Sequence, residues 1–393
     1  MKQTRIARRD FVKIGGLVAV QAPFRGAIAP AANRPVTAMV LGAGNRGNTY
    51  AAYSLKFPDE LKITGVAEPI DFRRQRFAEK YGIPRERQWV TWEHALQQKK
   101  MADVLIITTP DALHHGPALQ GLDSGYDILL EKAIGRTWAE VNDILQKTKQ
   151  KNRIVGICHV LRYTNYFRQL KDVMDSGVLG DLLSIEHTEK LSRRHYTHSY
   201  IRGPWRTSTE AAPMLLSKSC HDLDILRWLI GKPCTRVSSF GDQTVFLEKN
   251  APQGSAPRCT DCAIEKDCHL SALKHYYRDR ERLNHLAIEN HEAESIYRAL
   301  KEGPFGRCVW HCDNDTVDHQ VVNMAFEGNI TASFTLGFSP HPGRRTRING
   351  SLAAIVGNLD KGFTVTKIAS GETISYPNKI PKEFDSGHGG GDF

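Results

Sequence analysis

Apolar and polar positions along the chain change rhythm once, near residue 155, and that change divides the sequence into two architectures. Before it, short unbroken apolar runs recur at Val36 to Leu41, Ile63 to Ala67, Val104 to Thr108 and Ile128 to Leu130. Unbroken runs of this length belong to strands covered on both faces, as in a parallel sheet. Helix-like segments separate them, from Asn48 to about Phe57 and from about Phe72 to Tyr81. The alternation predicts an α/β Rossmann domain, a doubly wound parallel sheet, over residues 34–155.

After residue 155 one amphipathic helix is predicted from Tyr163 to about Ser176 and another from about Cys220 to Ile230, whose Leu223, Leu226, Trp228 and Leu229 supply apolar positions. Long strand-like runs dominate the rest: Leu182 to Leu191, Thr235 to Leu247, Val317 to Phe326, Asn329 to Phe338 and Ala353 to Gly357. Long strands with few helices between them predict an α+β domain over residues 156–393, built on a large, mostly antiparallel, open-faced sheet. A polar, Pro-rich stretch at about 250–315 reads as an insertion between strands. No internal repeat is visible, and the low-complexity piece is Gly389-Gly390-Gly391.

Length agrees with this division, because 393 residues exceed what one core holds and suit two domains. Hydrophobic residues at 40% and charged residues at 24% are ordinary for a globular protein. No run reaches the roughly 18 uninterrupted apolar residues of a spanning helix, so no membrane partner is expected. A net charge of +10 raises the question of a polyanion partner. Much of the excess is local, at Arg5, Arg8 and Arg9 and at Arg344, Arg345 and Arg347, and no basic helix interleaved with aromatics appears. Nucleic acid is therefore not expected as a partner.

The first 33 residues carry Arg8-Arg9-Asp10-Phe11-Val12-Lys13, a short apolar run from Ile14 to Val20, and small residues around Ala29-Pro30-Ala31. This order predicts a twin-arginine signal and a periplasmic or otherwise exported protein. Twin-arginine export carries folded proteins, so a nucleotide cofactor would be loaded in the cytoplasm and held tightly.

Gly42-x-Gly44-x-x-Gly47, with Asn45 and Arg46 inside it, joins a predicted strand to a predicted helix. In that setting the first glycine allows the tight turn, the second lets a pyrophosphate approach the backbone, and the third lets helix and strand pack closely. Glu68 ends the next strand, where a carboxylate accepts hydrogen bonds from both ribose hydroxyls and repels a 2′-phosphate. NAD is thus favoured over NADP, although Arg73 and Arg74 stand close enough in sequence to serve a 2′-phosphate. Thr109, Pro110 and His114 follow the third apolar run at the edge where ligands bind, with a helix-starting surface role as the alternative for His114. Glu131 and Lys132 follow the fourth. A lysine there can hold the substrate oxygen during hydride transfer, or merely pair with Glu131 at the surface.

Together Gly42 to Gly47, Thr109-Pro110 with His114, Glu131-Lys132, and the helix bearing His221 and Asp224 resemble the family of glucose-fructose oxidoreductase, inositol dehydrogenase and MocA. The resemblance covers nearly all of the chain after the leader. It implies a Glu-Lys-Pro lysine at the active site, here Lys132, and an Asp-x-Gly-x-His-x-x-Asp motif whose histidine falls on His221. Both motifs depart from the pattern: the proline is Ala133, and the first aspartate and the glycine of the second motif are Ser217 and Ser219. His221 is left to act alone, oriented by Asp222 or Asp224, or with help from Lys218; its structural alternative is a helix cap. In family members resembling this chain, a segment such as His388-Gly-Gly-Gly-Asp392-Phe393 precedes a last helix capped by the aspartate, so the sequence reads as a fragment or a shortened form.

Cys259-x-x-Cys262-x5-Cys268-His269 lies in the insertion, and Cys308 and Cys312 follow. Cys259, Cys262 and Cys268 can bind Zn²⁺ or an iron–sulfur cluster with His269, Cys308 or Cys312 as fourth ligand. Export and the even total of 8 cysteines equally allow disulfides. Cys158 and Cys234 read as buried strand-end residues, and Cys220 as packing beside His221.

The expected function is NAD-dependent hydride transfer at a hydroxyl of a sugar, polyol or glycoside, by a chain that self-associates through its open sheet face. Alternatives are an NAD-requiring glycosidase working by oxidation and elimination, or a non-catalytic sugar or nucleotide sensor.

Overall fold

A computed structural model describes residues 34–380 and 391–392. The twin-arginine leader over residues 1–33, and His388, Gly389, Gly390 and Phe393 of the terminal segment, lie outside the described residues.

Six strands form the first sheet: β1 (Val36–Leu41), β2 (Leu61–Ala67), β3 (Gln88–Trp89), β4 (Val104–Ile107), β5 (Asp127–Leu130) and β6 (Val155–Ile157). Their order is β3-β2-β1-β4-β5-β6, and every neighbouring pair is parallel. β6 still belongs to this sheet, so the first unit extends past residue 155. Alternation of side chains sends Met39, Leu41, Leu105 and Ile107 into one apolar layer and Ala38, Val40, Val66 and Ile106 into the other. Two covered faces explain the unbroken apolar runs. Strand order reverses between β1 and β4, which opens a crevice at their carboxyl ends. Helix α1 (Asn45–Ala51) starts there.

Eight strands form the second sheet: β7 (Leu182–Leu191), β8 (Cys234–Asp242), β9 (His319–Phe326), β10 (Ile330–Phe338), β11 (Gly343–Gly350), β12 (Ala353–Asn358), β13 (Gly362–Lys367) and β14 (Thr373–Pro377). Their order is β14-β13-β12-β11-β7-β10-β9-β8, antiparallel except where β10 runs parallel to β7. Helices α2 (Asn165–Asp175), capped by the Thr164 hydroxyl on Phe167 N at 3.2 Å, and α3 (Cys220–Ile230) cover its inner face. Buried there are Phe167, Ile185, Leu226, Phe334 and Ile348. Burying each contributes about 1.5–3 kcal/mol. The opposite face carries Glu186, Arg347 and Asn323 beside the exposed Phe240 and Val356.

The structure departs from the sequence pattern in three ways. β8 ends at Asp242, short of the expected Leu247, and β11, β13 and β14 were not expected at all. The basic run Arg344, Arg345 and Arg347 lies in β11, which alternates buried and exposed positions and buries Arg344. Cys234 is exposed rather than buried, because β8 is an uncovered edge strand. Among the described residues no helix is long and apolar enough to cross a membrane.

The insertion packs on its own small core of Cys259, Tyr276, Leu286, Ile296, Leu300 and Phe305. Helix α4 (Ala293–Glu302) supplies two of these.

Candidate active site and cofactor cradle

The glycine loop has the geometry its spacing anticipates. Gly42 adopts φ +96°, in the left-handed region, and a Cβ there would stand 2.8 Å from Thr108 O. A Cβ on Gly47 would fall 2.2 Å from Gly42 O, so only hydrogen lets α1 pack against the turn. Nothing lies within 4 Å of a Cβ built on Gly44, the position where a pyrophosphate would approach. Glu68 is buried at the end of β2, and its carboxylate accepts from Ala43 N at 2.8 Å and Ile70 N at 3.0 Å. Arg74 donates to Glu68 O at 2.7 Å and pairs with Asp71. These residues fit a dinucleotide. Asn45 Nδ2 meets His285 Nε2 at 2.9 Å, and Arg76 donates to Glu289 O at 2.7 Å, so the insertion reaches the edge of the cradle.

Arg46 and Glu131, both expected cofactor contacts, pair with each other. Arg46 donates to Glu131 Oε1 and Asp392 Oδ1, each at 2.7 Å, and to the Tyr50 hydroxyl. Glu131 also accepts from the Tyr50 hydroxyl at 2.6 Å and from Lys132 N at 2.8 Å. Burial opposes ionisation of Glu131, but the charges of Lys132 and Arg46 hold its carboxyl below the usual value. The terminal Asp392 therefore anchors on the Rossmann unit.

His114 stands at the N-cap of the helix His115–Asp123, as a helix-starting residue would, but its side chain is buried and not at the surface. Its Nδ1 lies 2.6 Å from Ala133 O and its Nε2 2.9 Å from Thr109 O, so it links the loop after β4 to the loop after β5. Thr109 Oγ1 donates to Leu113 O at 2.9 Å, which closes the turn begun by Pro110. The Lys132–Ala133 peptide is cis.

Lys132 projects from the carboxyl end of β5 into the second unit. Its Nζ donates to Ser217 O at 2.7 Å and lies 5.3 Å from the centre of the Trp205 ring. Trp205 is itself held by Asp111, its indole donating to the carboxylate at 3.1 Å. Ser217 leads into α3, where His221 is buried with its ring 6.0 Å from that of His159. Both expected orienting carboxylates have other partners. Asp222 lies at 3.0 Å from His187 Nε2 and 2.6 Å from Arg344 Nε, and Asp224 takes Arg162 at 2.7 and 2.5 Å. Lys218 pairs with Glu189 at 3.0 Å, which in turn pairs with Arg344 at 2.8 Å.

Sequence reasoning missed His159 and Arg162. His159 directly follows Cys158 at the end of β6, and a polar residue at the carboxyl edge of a parallel strand was the signal to read. Burial pushes its imidazole below the ordinary value against the pull of Asp224, 4.0 Å away.

All eight cysteines are free thiols. Cys259, Cys262 and Cys268 lie in the insertion, away from the glycine loop and Lys132 motif, and burial pushes the Cys268 thiol up.

Residues 36–159 match the model described as "Oxidoreductase family, NAD-binding Rossmann fold", and residues 167–267 match the GFO/IDH/MocA C-terminal domain, together more than half of the chain. The "Putative oxidoreductase YteT" of Bacillus subtilis is 23% identical over 86% of this chain and 81% of its own length. The scyllo-inositol 2-dehydrogenase (NAD(+)) of the same organism is 23% identical over 52% of this chain and 57% of its own, so the chain spans little more than half of that relative. Among solved structures, levoglucosan dehydrogenase in complex with NADH and L-sorbose superposes with a TM-score of 0.65 at 18% identity, covering 91% of this chain and 87% of that one. An inositol dehydrogenase homolog of Azotobacter vinelandii, complexed with NADH and myo-inositol, gives 0.60 at 13%, covering 89% and 77%. At these identities the likeness shows the fold.

Proposed function

Starting from a chain that belongs to the GFO/IDH/MocA oxidoreductase family, with its NAD-binding Rossmann domain and its C-terminal domain, we propose that it transfers hydride between a secondary hydroxyl of a sugar, polyol or glycoside and tightly held NAD. The observation that carries this reading is the 2.7 Å bond from Lys132 to Ser217 O, which sets the lysine at the end of β5 against the segment that leads to His221. Oxidising an alcohol removes a hydride from carbon and a proton from oxygen. NAD, when bound, supplies the hydride acceptor. The chain's own residues handle the oxygen and the proton: Lys132 holds the hydroxyl oxygen, and His221 takes the proton or returns it in the reverse direction. Asp224 acts through Arg162 and His159 as a positioning residue.

The substrate class is supported by the dehydrogenases of inositol and levoglucosan among the similar proteins. Preference for NAD over NADP is supported by buried Glu68 and by the commitment of Arg74 to Glu68 O and Asp71. The test is a panel of sugars, polyols and glycosides followed by the reduced-nicotinamide absorbance of the purified holoenzyme. A spectral change with at least one polyol or sugar is expected. Cofactor and ligand binding with no change across the panel would leave a sensor instead.

Export by the twin-arginine route rests on Arg8-Arg9 and the residues after them, and is tested by fractionation after Arg8→Lys with Arg9→Lys. We infer that the chain self-associates through the outer face of the second sheet, a reading supported by Phe240, 70% exposed, and Val356, 53% exposed. Phe240→Glu should shift the solution mass downward.

A further inference from the structure

The cysteine insertion and the later Cys308 meet at one cavity that the Rossmann motif, Lys132 and His221 do not touch. About 290 Å³ of non-atom space lies there, and Cys259, Cys262, Cys268 and Cys308 line it with Arg202 and Glu265. It has room for about one water-sized body. The later cysteine arrives because Cys308 N donates to Pro257 O at 2.8 Å and Arg258 bridges to Arg307, which brings the two stretches side by side.

Arg202 is an independent pointer to what the cavity takes. Its side chain is among the largest fully buried in the protein, at 2% exposure. Nε donates to Arg307 O at 2.6 Å, Nη2 donates to Leu270 O at 2.8 Å, and the same Nη2 stands 3.7 Å from Cys259 Sγ. Ion pairs among the described residues leave Arg202 without a carboxylate. A guanidinium is always charged, and a buried charge without a counter-charge is strongly disfavoured. Thiolates around a divalent cation carry net negative charge and supply that partner.

We propose that Cys259, Cys262, Cys268 and Cys308 bind a single thiophilic divalent ion, zinc by chemical class, in a closed tetrathiolate site with Arg202 as its outer counter-charge. A Cys-x-x-Cys pair with two further cysteines and no open position is the ligand set of structural zinc. Room for one small body favours a lone ion over a multi-iron cluster. Cys312 is excluded as fourth ligand because its thiol donates to Cys308 O at 3.1 Å and it does not line the cavity. His269 is excluded because it lines a neighbouring cavity and meets Arg193 at 3.4 Å. Among the described residues no three such side chains already stand closed around one point, so binding turns the four thiols inward across the space they line. Each thiol gives its proton to solvent as its sulfur–metal bond forms, and no oxidant or reductant is needed. Metal would then fix the insertion that reaches Asn45 and the edge of the cofactor cradle.

Elemental analysis of the full chain, purified without chelator, should find one zinc per chain. Cys308→Ser and Cys262→Ser should each lose it, whereas Cys312→Ser and Cys234→Ser should retain it. Because the first pair of variants can fail to fold, wild-type protein is also alkylated under native conditions and reloaded with Co²⁺. Protection of these four thiols until a chelator is added, and the visible spectrum of tetrahedral Co²⁺–thiolate, support the site. Iron with acid-labile sulfide overturns the lone-ion assignment. Absence of metal with the thiols open to alkylation, or protection removed by a reductant alone, overturns the site altogether.

Discussion

Lys132 Nζ and the carbonyl oxygen of Ser217 lie 2.7 Å apart, and their bond runs from the end of the parallel sheet to the segment just before the helix that carries His221. It uses the backbone of Ser217, while the Ser217 hydroxyl is buried with no hydrogen-bond partner. The residue that replaces the aspartate of the related motif thus contributes a carbonyl and not an acid.

Lys132→Ala should therefore lower turnover about a hundredfold or more, the usual loss for one positioned acid/base group, and leave NAD affinity unchanged. His221→Ala should behave alike, and the double variant should fall well short of additive. Ser217→Ala should stay near wild type. Steady-state kinetics beside a cofactor titration decide the matter, and a strong loss in Ser217→Ala with near-normal Lys132→Ala would move the chemistry to the Ser217 to Ser219 segment.

Glu68 accepts from Ala43 N of the glycine loop at 2.8 Å, and in the proposed function it takes the ribose. Glu68→Ala should weaken NAD binding and narrow its margin over NADP. Calorimetric titration with both cofactors measures this, and an unchanged ratio removes Glu68 from the ribose site.

Asp222 is fully buried between Arg344 and His187. Burial opposes its ionisation, yet Arg344 and the His187 contact hold its carboxyl far below the usual carboxylate range. A depressed folded value means that its stabilisation is present above the unfolded pKa near ~3.9 and fades as pH falls below it. Asp222→Asn should destabilise at neutral pH, by less than the ~3–5 kcal/mol of a fully stranded buried charge, because Arg344 keeps Glu189, which Lys218 also shares. Urea unfolding at several pH values should show the variant closing on wild type in acid; a constant gap would mean that packing, not charge, is lost.

Four histidines, His195 and His198 beneath the insertion and His275 and His285 within it, sit close together, His198 stacked 4.9 Å from Phe305. Burial first, and neighbouring cations such as Arg282 next, push His195 down to about 3 and His285 to about 4; for His275, burial outweighs Glu281 and also gives about 4. The unfolded chain protonates near ~6.5, so it binds protons that the folded chain refuses. Their contribution is complete above that value and is lost as pH falls from ~6.5 toward 4. Melting temperature should drop across that window, and His198→Phe should flatten the slope. An equal slope in that variant would place the acid sensitivity elsewhere.

Much of this molecule is legible in its sequence where neighbours along the chain decide the outcome. The strand Leu182–Leu191 and the helix Cys220–Ile230 follow from periodicity alone, and the glycine spacing sets the cradle, since turn geometry and side-chain direction repeat within a few residues. What tertiary structure decided is which polar groups meet. The Arg344 run reads as surface charge, but β11 pairs with β7 and turns Arg344 inward onto Asp222 and Glu189. Asp224, two residues on, faces Arg162 from another segment. Cys308 joins a loop some fifty residues earlier through the bridge of Arg258 to Arg307, and Asp392 returns to Arg46 across almost the whole chain. Burial makes such charge pairs obligatory, yet their partners are chosen by how the sheets close in space, and no local pattern encodes that choice.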